Sequence, residues 1–215
     1  MVRVVVLAVP GGGKSTTLQL LQKLRPEVKV VNFGDVMFEV AKRVYGVRDR
    51  DEMRKKLTLN DYRRLQELAA EEIGRISGVV LIDTHAAIKT PYGYYPGIPE
   101  RVIKLMKPDA IVLLEFDPEI VLERRLKDLE RGSEVTEVGT IRQLRKRDIE
   151  SLDDIEQHQE IAKYFAAAAS VIASCPLYIV NLRGVKQNMP FDHALIAAKL
   201  LSDLLTHLMG GRGNE

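Results

Sequence analysis

Apolar and polar positions along this chain switch repeatedly between two periods, short continuous β-branched runs and longer stretches with helical spacing. The run that begins at Val2 reads as a strand buried on both faces; it breaks at Pro10-Gly11-Gly12-Gly13, and helical spacing then runs from Lys14 to Leu24, ahead of Pro26. Val28 to Phe33 is a second strand, and Asp35 is placed to cap a helix carrying Val36, Phe38, Val40 and Ala41. A polar linker, Val47 to Asp51, leads to Met53-Arg54-Lys55-Lys56-Leu57, after which Asn60 caps an amphipathic helix through Ile76. Val79 to Asp83 and Ala110 to Glu115 are further strands, the latter followed by a helix opened by Asp117-Pro118-Glu119. Between them lies THAAIKTPYGYYPGIP, too long and too aromatic for a plain connector. Asp128 to Ile149 is polar and charge-rich, Ser151 starts a helix to about Ala173, Leu177 to Asn181 is a short strand, and Pro190 to Leu208 closes the chain ahead of a disordered 210–215 tail. Leu18, Leu21, Val36, Val40, Ile73 and Leu200 are expected in the core.

Strands separated by helices predict an α/β fold, a parallel sheet covered on both faces, with ligands gathered at the carboxyl ends of the strands. At 215 residues the chain suits one domain, here 1–209. Thirty-two Lys and Arg against 30 Asp and Glu leave a net charge of +2, which gives no reason to expect nucleic acid. The lone Cys175 excludes an internal disulfide and a cysteine-rich zinc site, and no apolar run or leader points to a membrane, so a cytoplasmic location is expected.

The break after the first strand carries the chemistry. Gly13-Lys14-Ser15 ends the pattern G-x-x-x-x-G-K-[ST], with Ala8 where the first glycine stands, and it lies between a strand and a helix as a P-loop must. Consecutive glycines let backbone N–H groups form an anion-binding concavity, and the helix adds its positive end. Pro10, Gly11, Gly12, Gly13, Lys14, Ser15 and Thr16 are therefore read as a phosphate site, with Lys14 at a solvent-facing turn reaching the β- and γ-phosphates and the Ser15 hydroxyl on Mg²⁺. Asp83 ends its strand where P-loop enzymes hold Mg²⁺, directly or through water. Arg54, Lys89, Arg124, Arg125, Arg142, Arg145 and Arg147 lie outside the sheet and, as a set, suit two facing phosphate chains, because only cations and Mg²⁺ stabilise the charge spread over a transferring phosphoryl group. His85 and His158 either bind a ligand or each bond a nearby carbonyl. Tyr92, Tyr94 and Tyr95 either wall a base or pack on Pro96, packing being expected for at least two of them.

VPGGGKSTT, NFGDVMFEVA, RDEMRKKL, DTHAAIKTPYGYYPGIP, RKRD and EQHQ, in that order from Val2 to the final helix, resemble the archaeal type of adenylate kinase. The resemblance implies a P-loop NTPase fold with a five-stranded parallel sheet, an AMP-binding segment at about 34–76, a mobile lid at about 128–150, a homotrimer, and Mg²⁺-dependent transfer of the γ-phosphoryl of ATP to AMP giving two ADP. It implies that Lys14, Arg124 and Arg147 are catalytic and that Asn32, Gly34, Arg54, Thr84, His85 and Lys89 face AMP. It also implies that Arg124 lies on the adenine of ATP, and that Arg142, Arg145, Arg147 and His158 belong to the lid. Ala8, Lys89 in place of an arginine, and a longer lid are departures from the family. Two other readings share the phosphate loop: a kinase for CMP, UMP or a metabolite, and an ATPase switch.

Overall fold

The computed structural model describes residues 1–132, 150–189 and 191–210. Five strands, β1 (Val2–Leu7), β2 (Val28–Asn32), β3 (Val79–Thr84), β6 (Ala110–Glu115) and β7 (Leu177–Asn181), form one sheet in the order β2-β3-β1-β6-β7, every neighbouring pair parallel. All six residues of β1 and of β6 are buried, which is why both read as nearly continuous apolar runs, interrupted only by Arg3 and ended by Glu115, rather than as alternating ones. Helices α1 (Lys14–Leu24), α2 (Phe33–Tyr45), α3 (Arg50–Lys56), α4 (Leu59–Gly74), α5 (Glu100–Met106), α6 (Pro118–Gly132), α7 (Leu152–Ala173) and α8 (Asp192–Gly210) connect and cover the strands. A hairpin, β4 (Ala87–Thr90) and β5 (Gly93–Pro96), fills the aromatic segment after β3.

The chain passes from β1 out to β2, returns to β3 beside β1, then crosses to β6 on the other side of β1. The gap between the carboxyl ends of β1 and β3, where Val6 and Leu7 lie opposite Asp83 and Thr84, is therefore the switch point at which a doubly wound sheet binds ligands.

Several local expectations need correction. Two helices start earlier than Asp35 and Asn60 implied, by three residues and by two: Asn32 caps α2 by accepting from the Asp35 N–H, and Thr58 caps α4 in a reciprocal box with Asp61. Leu200 is 47% exposed, because α8 buries the stripe Ala194, Ala197, Ala198, Leu201 and Leu205 instead. Tyr92 is 95% exposed and Tyr95 is 42% exposed; only Tyr94 packs, against the His158 ring, with centroids 5.2 Å apart. Arg142, Arg145, Arg147 and the expected lid motion lie outside the described residues, as does the tail beyond Gly210.

Candidate active site

The loop from Pro10 to Gly13 is shaped by its glycines and gripped by α6. Gly11 and Gly13 have φ of 83° and 78°, a left-handed conformation that a side chain strains. Space is tight as well: a Cβ on Gly11 would lie 2.7 Å from Arg125 Cγ, one on Gly12 3.0 Å from the Phe116 ring, and one on Gly13 2.9 Å from an Arg124 nitrogen, so these neighbours would have to shift. The Gly12 N–H turns back to the Val9 carbonyl at 3.1 Å, and Gly13 caps α1 without any side-chain hydrogen bond. The first turn of α1 thus opens onto the loop with its positive end.

Lys14 is not at a solvent-facing turn. It is 6% exposed, and its ammonium donates to Asp83 Oδ1 and to the Thr84 carbonyl across the switch point. The cause is topological: β1 and β3 are neighbours, so the first residue of α1 folds back over the end of β3. Burial pulls the Lys14 pKa below the ordinary lysine value, and the Asp83 carboxylate opposes that shift. The other oxygen of Asp83 accepts from the Asn32 amide at 3.0 Å. Ser15, Asn32, Asp35 and Asp83 share one cleft between α1 and β2, so hard oxygen donors of the kind Mg²⁺ selects stand together beside the loop. Among the described residues no three His, Cys, Asp or Glu side chains form a metal-binding group.

Thr84 and His85 follow Asp83 at the same edge. The Nδ1 of His85 donates to the Ala8 carbonyl at 2.7 Å, so the ring braces the residue that stands in place of the motif's first glycine. Burial, with the Lys14 ammonium adding to it, lowers the His85 pKa from 6.5 to about 4. The unfolded chain therefore takes up this proton first, and the stability supplied by a neutral His85, present above pH 6.5, drains away as pH falls through about 4. The loss amounts to roughly 3 kcal/mol at most. His85→Gln is expected to flatten the dependence of unfolding free energy on pH between 4 and 7, measured by urea titration; equal slopes in both proteins would contradict this.

Two arginines cross the loop from α6. Arg124 donates to the Gly12 carbonyl at 3.0 Å and lies over the Phe116 ring at 5.0 Å. Arg125 donates to the Pro10 carbonyl at 2.9 Å and pairs with Glu150 at 2.5 Å. Glu150 also meets Lys89 from the hairpin at 3.1 Å, and Lys89 reaches Asp154 at 2.9 Å. Partial burial raises the Glu150 pKa, and its bonds to Arg125 and Lys89 outweigh this to lower it; the Lys89 bond lowers Asp154 to about 2. The sequence singled out Lys89 and Arg124 for the site and placed Arg125 only among the scattered cations. It offered no sign of Glu150, whose role depends on contacts 25 and 61 residues away along the chain.

His158 is not placed as a lid residue. It is 3% exposed on the inner face of α7, with Nε2 donating to the Ala87 carbonyl at 3.1 Å. Its neighbour Gln159 holds both backbone groups of Phe116 at 2.9 Å, accepting from the N–H and donating to the carbonyl. The EQHQ segment thus fastens the hairpin and the end of β6 to one helix. Asn32 and Gly34 stand at the start of α2, and Arg54 lies on α3.

A family model described as "AAA domain" matches residues 7–142. The protein from Pyrobaculum aerophilum named adenylate kinase is 45% identical over 203 residues, covering 94% of this chain and 96% of its own. The adenylate kinase of Thermoplasma acidophilum is 40% identical over 179 residues, covering 83% of this chain and 88% of its own. In fold, the chain is similar to the shikimate kinase of Bacteroides thetaiotaomicron, with a TM-score of 0.55 at 14% identity over 95% of this chain and 98% of that one.

Proposed function

The chain belongs to the archaeal adenylate kinases, enzymes that move a phosphoryl group from ATP to AMP, and on that premise we propose that ATP lies along Pro10–Thr16 and AMP beyond Asp83, between α2–α4 and the hairpin. The observation that carries this reading is the Lys14 ammonium at the switch point, held by two oxygens, a carboxylate and a carbonyl, that stand where phosphate oxygens would bind. The acceptor is a phosphate oxygen already ionised at neutral pH, so catalysis needs no general base. It rests on alignment and charge neutralisation.

In this assignment the N–H groups of Gly11 and of Gly13 to Thr16, with the Lys14 ammonium, hold the donor phosphates, the Gly12 N–H being committed to Val9, and Arg124 lies against the adenine. Ser15 and Asp83 would hold Mg²⁺, and the ion would neutralise charge that develops on the transferring group. Asn32, Gly34, Arg54, Thr84 and Lys89 face AMP, while His85 keeps only Nε2 available to a ligand because Nδ1 is committed to Ala8. Arg147, with Arg142 and Arg145, closes the lid over the transferring group.

The acceptor half is tested at Arg54. A charge-assisted clamp on a phosphate is worth roughly 1.5–3 kcal/mol, so Arg54→Ala should raise KM for AMP at least ~10-fold and leave KM for ATP little changed. Equal effects on both would move Arg54 out of the AMP site. Assembly as a homotrimer in the cytoplasm belongs to the same proposal. Tyr164 and Val171, one heptad apart on α7, are 63% and 80% exposed and supply apolar surface for such contacts. No described helix is long and apolar enough to cross a membrane. Light scattering should give the mass of three 24.2 kDa chains, and a single-chain mass would refute the trimer.

A further inference from the structure

Arg124 is held on three sides, and one holder is a residue with no place in the phosphate motif. His193, on the first turn of α8, is 1% exposed. Its Nδ1 lies 3.1 Å from an Arg124 guanidinium nitrogen, its Nε2 lies 2.6 Å from the Val185 carbonyl, and its ring meets Phe116 edge-on with centroids 6.2 Å apart. A guanidinium has donors and no acceptor, so Nδ1 must carry the lone pair; the ring proton is then on Nε2, pointing at the Val185 carbonyl. One tautomer satisfies both contacts, and the opposite tautomer satisfies neither.

The loop after β7 is itself anchored. The Gly184 N–H donates to the Asp117 carboxylate at 2.8 Å, and Asp192 accepts from the Asn188 and Met189 N–H groups at 2.9 and 2.8 Å. Val185 is therefore a fixed point, and His193 transmits its position to Arg124. Of the contacts that orient the guanidinium, the Gly12 carbonyl belongs to the phosphate loop and moves with it, and the Phe116 ring leaves rotation in its own plane free. Among the described residues, the His193 contact is the side-chain hydrogen bond that refers the guanidinium to a part of the fold outside the loop.

We propose that His193 is a positioning residue for the ATP donor: as the Nε2–H tautomer it bridges the loop after β7 to Arg124 and sets the guanidinium across the donor phosphate loop. The inference rests on the placement of ATP at Pro10–Thr16. Loss of one hydrogen bond to a charged group should weaken donor binding about 10-fold, because the guanidinium then has to be ordered by the nucleotide itself.

Three variants separate the two ring nitrogens. His193→Ala should raise KM for ATP about 10-fold and leave KM for AMP within twofold. His193→Asn places an amide oxygen where Nδ1 stands and should recover most of that loss; His193→Gln keeps a donor near Nε2, lacks the acceptor, and should resemble alanine. An Asn variant no better than Ala, or a matching rise in KM for AMP, would overturn the proposal. A long-range ¹H–¹⁵N spectrum of the unmodified protein tests the geometry without any assay, since His193 must show a bare Nδ1 and a protonated Nε2; a protonated Nδ1 would overturn it. Failure of the donor-site reading would look different, as Arg124→Ala with an unchanged KM for ATP beside the expected His193 spectrum.

Discussion

Lys14→Ala is expected to lower the rate of ADP formation by at least ~10³-fold and, in the absence of nucleotide, to destabilise the fold by about 3 kcal/mol or more. The two effects have separate causes. The rate falls because the transferring group loses the one cation that the P-loop aims at it, and charge stabilisation is nearly the whole of this chemistry. Stability falls because Asp83, 7% exposed, is left with Asn32 as its remaining side-chain hydrogen bond inside the cleft. A buried carboxylate robbed of its cation costs more than the intact pair contributed. Adding Asp83→Asn to Lys14→Ala removes the stranded charge, so the double variant should regain much of the lost thermal stability and none of the lost rate. Activity of Lys14→Ala within twofold of the parent would remove Lys14 from the donor site, and a double variant no more stable than the single one would show that the pair is not what sets the cost.

Gly97→Ala is the substitution expected to damage the acceptor side most. A Cβ on Gly97 would occupy the position of the His85 carbonyl oxygen, and its next neighbours are backbone atoms of His85 and Ala86, which cannot swing away as a side chain would. The Gly97 N–H bonds the Ala86 carbonyl at 2.8 Å, so the end of the hairpin is stitched to the residues just after Asp83 and Thr84. Forcing these strands apart should cost about 3 kcal/mol and displace Lys89 along with the hairpin, raising KM for AMP. Gly46→Ala gives the comparison: its φ of 64° strains an alanine, yet nothing lies within 4 Å of its Cβ, so only the conformational cost of about 1–2 kcal/mol applies. Equal losses of thermal stability in the two variants would mean that the close approach at Gly97 is relieved by a small shift.

What the sequence disclosed was governed by how local each signal is. β7 and α7 have the limits that their apolar run and the Ser151 cap imply, because strand ends and caps are settled within a few residues. The P-loop was equally legible, since its glycines and Lys14 are contiguous. The hairpin was not: β4 and β5 are four residues each, and their pairing is hidden in a segment rich in Pro, Gly and Tyr. Helix α5, at seven residues, gives too few turns for periodicity to speak. The buried state of Lys14, the Lys89–Glu150–Arg125 chain of charges and the His193–Arg124 bond all depend on residues between 25 and 70 positions apart, and nothing in the neighbouring sequence announces them. Leu200 illustrates the same limit within one helix, where spacing identifies a face but only packing against α1 decides that alanines occupy it.

Product stoichiometry shows whether this cleft joins a donor on the phosphate loop to a nucleotide monophosphate beyond Asp83. Purified protein given ATP, Mg²⁺ and AMP should form two ADP for each ATP and AMP consumed, with no release of inorganic phosphate and no ADP when AMP is withheld. Phosphate release from ATP at the same rate with and without AMP would contradict it.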